Sequence, residues 1–345
     1  MQLPREVLIG KDVALSVGET LTRLGFHGPA LLVTGHKVER IAGKTVLDSL
    51  QHAGFKSSTI LVENATTDQV AQVEKEIRRM QPDIVVGVGG GKDIDVAKLS
   101  SMKASTRFLS VPTAASHDGI ASPLVSMKGL DRPYSYVAHA PVAIVADISI
   151  IAKSPYPLIA SGCGDTVAKY TAVRDWKLAH RIKNEYYGDY AAELALMSAR
   201  LVMKNATSIR AMSDSGVRTL VEALISCGVA MSIAGTSRPC SGAEHLFSHA
   251  LTMIAPKPAL HGEQCGVGTI MCAYLHGANW QLIKDVLNTI ACPTTAKQLG
   301  VDPEYVIKAL TMAHSIRPER YTILGESGLT KEAAERVAKL TGVID

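Results

Sequence analysis

The stretch Asp83-Ile-Val-Val-Gly-Val-Gly-Gly-Gly-Lys-Asp-Ile-Asp-Val-Ala-Lys-Leu99 decides the fold. Its first half is a short β-branched run, apolar on both faces, which reads as a strand buried inside a parallel sheet. Its second half has a helical pattern, and Gly89-Gly90-Gly91-Lys92-Asp93 joins the two. Glycines at such a junction let the backbone approach a phosphate, and the free N–H groups that open the helix suit an anion. The GxGxxG register is not met. The Walker pattern fails as well, because Val86 stands at its first glycine and Asp93 follows the lysine in place of Ser or Thr. By mechanism this is still a diphosphate-binding turn. The alternative is a tight strand–helix turn that happens to hold four glycines between Gly87 and Gly91.

Similar runs lie on either side, at Ala30–Thr34, Thr59–Val62, Arg107–Val111 and Val142–Ala146, with helical segments such as Lys44–Gly54 and Asp68–Met80 between them. One helix per pair of buried strands predicts an open, Rossmann-like parallel sheet. The strand at Arg107–Val111 runs into Pro112-Thr-Ala-Ala-Ser-His-Asp-Gly119, small and polar at the carboxyl end of a strand, where open sheets bind ligands. Two such loops favour a dinucleotide. After Asp147 the segments 165–183, 187–205, 215–235, 242–254, 262–275, 280–290, 303–314 and 331–340 all read as helices. The chain therefore divides into an α/β domain over residues 1–153 and an all-α domain over 154–345, with the boundary near Lys153-Ser-Pro-Tyr-Pro157 and the active site expected in the cleft between them.

A length of 345 residues accommodates two cores. The net charge of +4 is small and dispersed, which argues against a nucleic-acid surface. The six cysteines have no C-x-x-C spacing and read as reduced core fillers. The longest apolar stretch, Leu224–Gly235, is too short to span a bilayer and no secretory h-region opens the chain, so a cytoplasmic protein without membrane insertion is expected. The Met- and Ala-rich helices of the second domain offer spare apolar faces, which points to a homo-oligomer.

Ser237–Gly268 holds three of the eleven histidines. His245 and His249 are four apart on one helical face, and His261 follows a Pro-rich turn. From spacing alone this is either a hydrogen-bonded structural group or a metal site.

Taken together, Gly89–Lys98 (GGGKDIDVAK), Val111–Pro123 (VPTAASHDGIASP), Ser161–Lys169 (SGCGDTVAK), Thr236–Leu251 (TSRPCSGAEHLFSHAL) and His261–Gly268 (HGEQCGVG) resemble the metal-dependent glycerol dehydrogenase and dehydroquinate synthase superfamily, most closely its sn-glycerol-1-phosphate dehydrogenases. The resemblance implies a dehydroquinate synthase-like fold, one Zn2+ per subunit on Asp165, His245 and His261, and NAD or NADP held by Gly89, Gly90, Gly91, Lys92, Asp93, Thr113, Ala114, Ala115, Ser116 and Ser122. It implies substrate contacts from Asp118, Asp165 and His249, with His249 or Asp118 starting a proton relay. The implied reaction interconverts dihydroxyacetone phosphate and sn-glycerol 1-phosphate by hydride transfer at C2, with zinc as Lewis acid, and supplies the glycerophosphate of archaeal-type ether lipids. Polyol dehydrogenase and dehydroquinate synthase-type lyase are the alternatives. His36 and Lys37, with no acidic residue at the end of the Ala30–Thr34 strand, either suit a ribose 2′-phosphate or are solvated loop residues. Arg238 suits either the substrate phosphate or a structural role at the entry of its helix.

Overall fold

The structure is a computed structural model that describes residues 2–127 and 135–345. Chain contacts divide it into Met1–Pro155 and Tyr156–Asp345.

The first unit is built on a six-stranded sheet of β1 (Glu6–Gly10), β2 (Ala30–Thr34), β3 (Ser57–Leu61), β4 (Ile84–Gly89), β5 (Arg107–Pro112) and β8 (Ala143–Asp147). The order is β1-β8-β5-β4-β2-β3, and every pairing is parallel. Alternate residues feed two cores: Ala30, Leu32, Val86 and Val145 point to one face, and Leu31, Val33, Val85 and Phe108 to the other. This is why the strands read as continuous apolar runs. The chain leaves β2 for the β3 edge and then returns to lay β4 on the other side of β2, so the strand order reverses between β2 and β4. Ligands of open sheets bind at the carboxyl ends beside such a reversal, and the glycine-rich turn follows β4 directly. Two elements escape the sequence reading. β1 is a half-buried edge strand whose partner lies more than 130 residues away, and β6 (Leu124–Ser126) pairs with β7 (Ser135–Val137) as a small antiparallel ribbon.

Among its described residues the second unit is helical. The segment expected at 165–183 is two helices, Tyr156–Val167 and Lys169–Lys183, separated at Ala168. Ala243–Ile254 and His261–Leu275 pack on each other, and His261–Leu275 also packs on Tyr156–Val167. Asp214–Ala234, of 21 residues, is longer than the Leu224–Gly235 stretch and apolar enough by length and hydropathy to span a membrane. Its apolar face is buried against Asp189–Lys204 and Tyr156–Val167, as for a core helix.

Candidate active site

In the first unit the three glycines of the turn have different reasons to be glycine. A methyl group on Gly89 would overlap the Asp93 carboxylate, and one on Gly91 would overlap the His117 imidazole. Gly90 has nothing within 4 Å of that position. Two glycines thus serve the turn's own packing, while Gly90, the N-cap of helix Gly91–Lys103, leaves room for a phosphate beside the opening N–H groups. Asp93 is buried under the turn, where desolvation raises its pKa against the pull of Lys92. Lys92 donates to the Glu63 carbonyl at 2.8 Å. Both side chains brace the turn. His36 and Lys37 are exposed on the short turn after β2, and the adjoining Gly35 lies close to Asp93 and Lys92.

The loop after β5 is fastened to this turn. Thr113 N donates to Gly89 O at 2.9 Å. Thr113, Ala114, Ala115 and Ser122 are buried, and Ser116 and Asp118 are half-buried. The Lys98 ammonium, fully buried, donates to Gly119 O at 2.7 Å and Leu124 O at 2.8 Å, and Asp95 accepts from Ser126 N at 2.9 Å. One helix therefore presents the turn at its start and clamps the second loop through its third turn.

In the second unit three helices converge. Asp165 lies near the end of Tyr156–Val167, His245 in the first turn of Ala243–Ile254, and His261 opens His261–Leu275. Glycines next to Asp165 and His261 set the spacing: a methyl group on Gly262 would overlap the Ser161 carbonyl, and one on Gly164 the Gly262 carbonyl. His245 Nε2 is 3.2 Å from Asp165 Oδ1, while its Nδ1 is 2.9 Å from Glu244 Oε1. Glu244 is buried and accepts from Thr171 Oγ1 at 2.7 Å and Gly242 N at 2.6 Å. His261 Nδ1 is 3.1 Å from Ser248 Oγ, which leaves Nε2 facing Cys265 Sγ at 3.5 Å. Ligand atoms of Asp165, His245, His261 and Cys265 all lie within 4.8 Å of one another. Zinc bonds of about 2.0–2.3 Å at the tetrahedral angle separate ligand atoms by roughly 3.3–3.6 Å, so this donor set fits a divalent metal with both Nε2 atoms turned inward.

The electrostatics agree. Burial alone would raise the pKa of Asp165, but the Lys169 ammonium at 2.8 Å and the two imidazoles hold it well below the usual carboxylate range. Burial would lower the pKa of His245 and His261, yet Cys265, Asp165 and, for His245, Glu244 raise both. Cys265, although buried, is pulled down to about 6 by those imidazoles. His249 behaves differently. It is half-buried with its ring centroid 5.7 Å from that of His261, and burial, the other two imidazoles, Arg317 and Arg320 keep it neutral.

One sequence expectation needs extending, and one open alternative is decided. Cys265 is a free, buried thiol like the other five, but it belongs to the donor cluster as well as to the core; His261-x-x-x-Cys265 has the same four-residue spacing that singled out the His245–His249 pair. Arg238 takes its structural role. Its guanidinium is held edge-on by both Glu185 oxygens, and Nη1 donates to Tyr321 O at 2.9 Å. Arg317 and Arg320, which no motif announced, stand near His249 instead.

Comparison with known proteins bears on the chemistry. Residues 8–155 match the family described as iron-containing alcohol dehydrogenase. The chain is 56% identical over 344 residues to glycerol-1-phosphate dehydrogenase (NAD(P)+) of Pyrococcus furiosus, covering 100% of this chain and 99% of that one. It is 53% identical to the enzyme of the same name from Methanothermobacter thermautotrophicus, with 100% and 99% covered. The chain belongs to the glycerol-1-phosphate dehydrogenase family. Solved structures agree on the fold: glycerol dehydrogenase of Schizosaccharomyces pombe has a TM-score of 0.83 at 18% identity, covering 99% of this chain and 89% of that one. Sulfoacetaldehyde reductase of Bifidobacterium kashiwanohense in complex with NAD+ has a TM-score of 0.76 at 17% identity, with 99% and 98% covered. The glycerol-1-phosphate dehydrogenase relatives match along their full length, so membership covers both the turn at Gly90 and the donor cluster.

Proposed function

We propose that this protein interconverts dihydroxyacetone phosphate and sn-glycerol 1-phosphate with NAD or NADP. One observation carries the reading: a buried carboxylate and two imidazoles with converging Nε2 atoms lie in a chain more than half identical, end to end, to proteins of that name. Asp165, His245 and His261 hold the metal, taken as zinc, which when bound supplies a Lewis acid for the oxygen on C2. Gly90 and the N–H groups that follow it receive the cofactor diphosphate, and Thr113 to Ser116 and Ser122 line its other side. His249, kept neutral, orients the substrate and takes or gives its proton, with Asp118 as a second contact. Arg317 and Arg320 supply charge for the substrate phosphate. Arg320 donates to the neutral acceptors Ser241 O at 2.7 Å and Ser237 Oγ at 2.8 Å, and no carboxylate among the described residues lies in ion-pair range of it. Exposed Tyr190, Met197 and Leu201, on one face of Asp189–Lys204, support a homo-oligomer. A cytoplasmic location accords with this reading.

The test follows nicotinamide absorbance with glycerol 1-phosphate, glycerol 3-phosphate and glycerol, each with NAD+ or NADP+, before and after chelation and zinc add-back. Glycerol 1-phosphate should turn over fastest and only with metal. Preference for glycerol 3-phosphate would sink the assignment, preference for glycerol would favour a polyol dehydrogenase, and full activity without metal would remove the role of the cluster.

A further inference from the structure

The donor cluster holds one group more than a three-ligand catalytic metal needs. Cys265 lies one turn after His261 on the same helix face, fully buried, with its Sγ 3.5 Å from His261 Nε2. That distance is close to the edge of a zinc tetrahedron with one sulfur and one nitrogen at that edge, just as 3.2 Å between His245 Nε2 and Asp165 Oδ1 suits a nitrogen–oxygen edge. The second ring nitrogen of each histidine is turned to an outer partner, Glu244 or Ser248. No other cysteine among the described residues joins the group.

We propose that Cys265 is a fourth protein ligand to the metal in the substrate-free enzyme. This deepens the metal reading given under Proposed function and rests on it. A bound metal would then be held by one carboxylate, two imidazoles and one thiolate, and would supply a Lewis acid to the substrate oxygen. A sulfur donor also biases the site toward zinc or cobalt and away from magnesium or manganese.

Cobalt(II) substitution tests this without reference to turnover. The full-length apoprotein loaded with one equivalent of cobalt should show a near-ultraviolet sulfur-to-cobalt charge-transfer band and the visible bands of a four-coordinate ion. Cys265→Ala should lose the charge-transfer band, keep cobalt stoichiometry, and release zinc to a chelator at least about tenfold faster. Cys265→Ser, which keeps the side chain's size, should behave the same way if alanine impairs folding. Full cobalt occupancy of the unaltered protein with no thiolate band would overturn the assignment of Cys265 and leave the three-ligand site standing. Failure to take up cobalt or zinc at all would overturn the metal reading itself, and Cys265 with it.

Discussion

Each unit buries a lysine beside an aspartate three or four residues before it in the chain, and the two pairs have different surroundings. In the first unit Lys98 lies 3.7 Å from Asp95 and spends its hydrogen bonds on main-chain carbonyls of the loop after β5. In the second, Lys169 donates at 2.8 Å to Asp165, which we propose as a metal ligand. Neither ammonium is accessible to solvent. The first pair fixes the position of the loop beside Gly90 and the helix N–H groups, the proposed backbone-built cofactor site. The second fixes the charge of the side-chain donor cluster, keeping Asp165 ionised as the proposed metal site would require. The contrast shows that one device, a buried ion pair, can either hold a loop in place or hold a carboxylate ready.

The largest expected effect removes a proposed metal ligand. His261→Ala should lose bound metal and turnover together, whereas His249→Ala should retain metal by elemental analysis and lose rate or substrate affinity. If His249→Ala emptied the site, the division of roles between the histidines would be wrong.

Next come the lysines. Removing one partner of a buried pair costs about 3–5 kcal/mol. Lys98→Met should lower thermal stability equally with and without metal, while Lys169→Met should lower it in the stripped protein and recover much of the loss on metal loading. Melting curves in chelator and in zinc measure both, and an identical metal dependence for the two variants would break the comparison.

The glycines give a smaller contrast. Gly262→Ala forces a methyl group onto the Ser161 carbonyl and should cost about 1–3 kcal/mol along with metal affinity. Gly90→Ala meets open space at a φ of −80° and should leave melting within about 0.5 kcal/mol while weakening NAD(P) binding in a fluorescence titration. Unimpaired cofactor binding by Gly90→Ala would move the diphosphate elsewhere.

The smallest effect is a pH dependence confined to the first unit. His139 stacks near Phe108 and pairs with Ser101 Oγ at 3.0 Å. Burial first, then the charges of Lys98 and Arg107, lower its pKa from 6.5 to about 4. The folded state thus favours the neutral ring, so its stabilisation is full above pH 6.5 and declines as pH falls toward 4. His139→Gln should flatten the fall of melting temperature across that interval; an unchanged slope would show that other groups set it.

The sequence by itself determined what depends on neighbours along the chain. Buried strands appear as apolar runs, helices as a period, the glycine turn as a composition, and the pairs at four-residue spacing as shared faces, because each is a property of a few consecutive residues. Asp165, His245 and His261 were legible only through linked motifs, since no local rule places a carboxylate on one helix beside imidazoles on two others. Tertiary structure decided the rest. It paired β1 with β8 across the length of the first unit, reversed the strand order next to Gly90, and turned Arg238 toward Glu185. It also brought Cys265 to the cluster of Asp165, His245 and His261, where its identity as a small buried residue concealed its chemistry. These outcomes depend on which surfaces meet, and close contacts such as that of Gly262 with Ser161 fix the meeting through packing between helices distant in sequence.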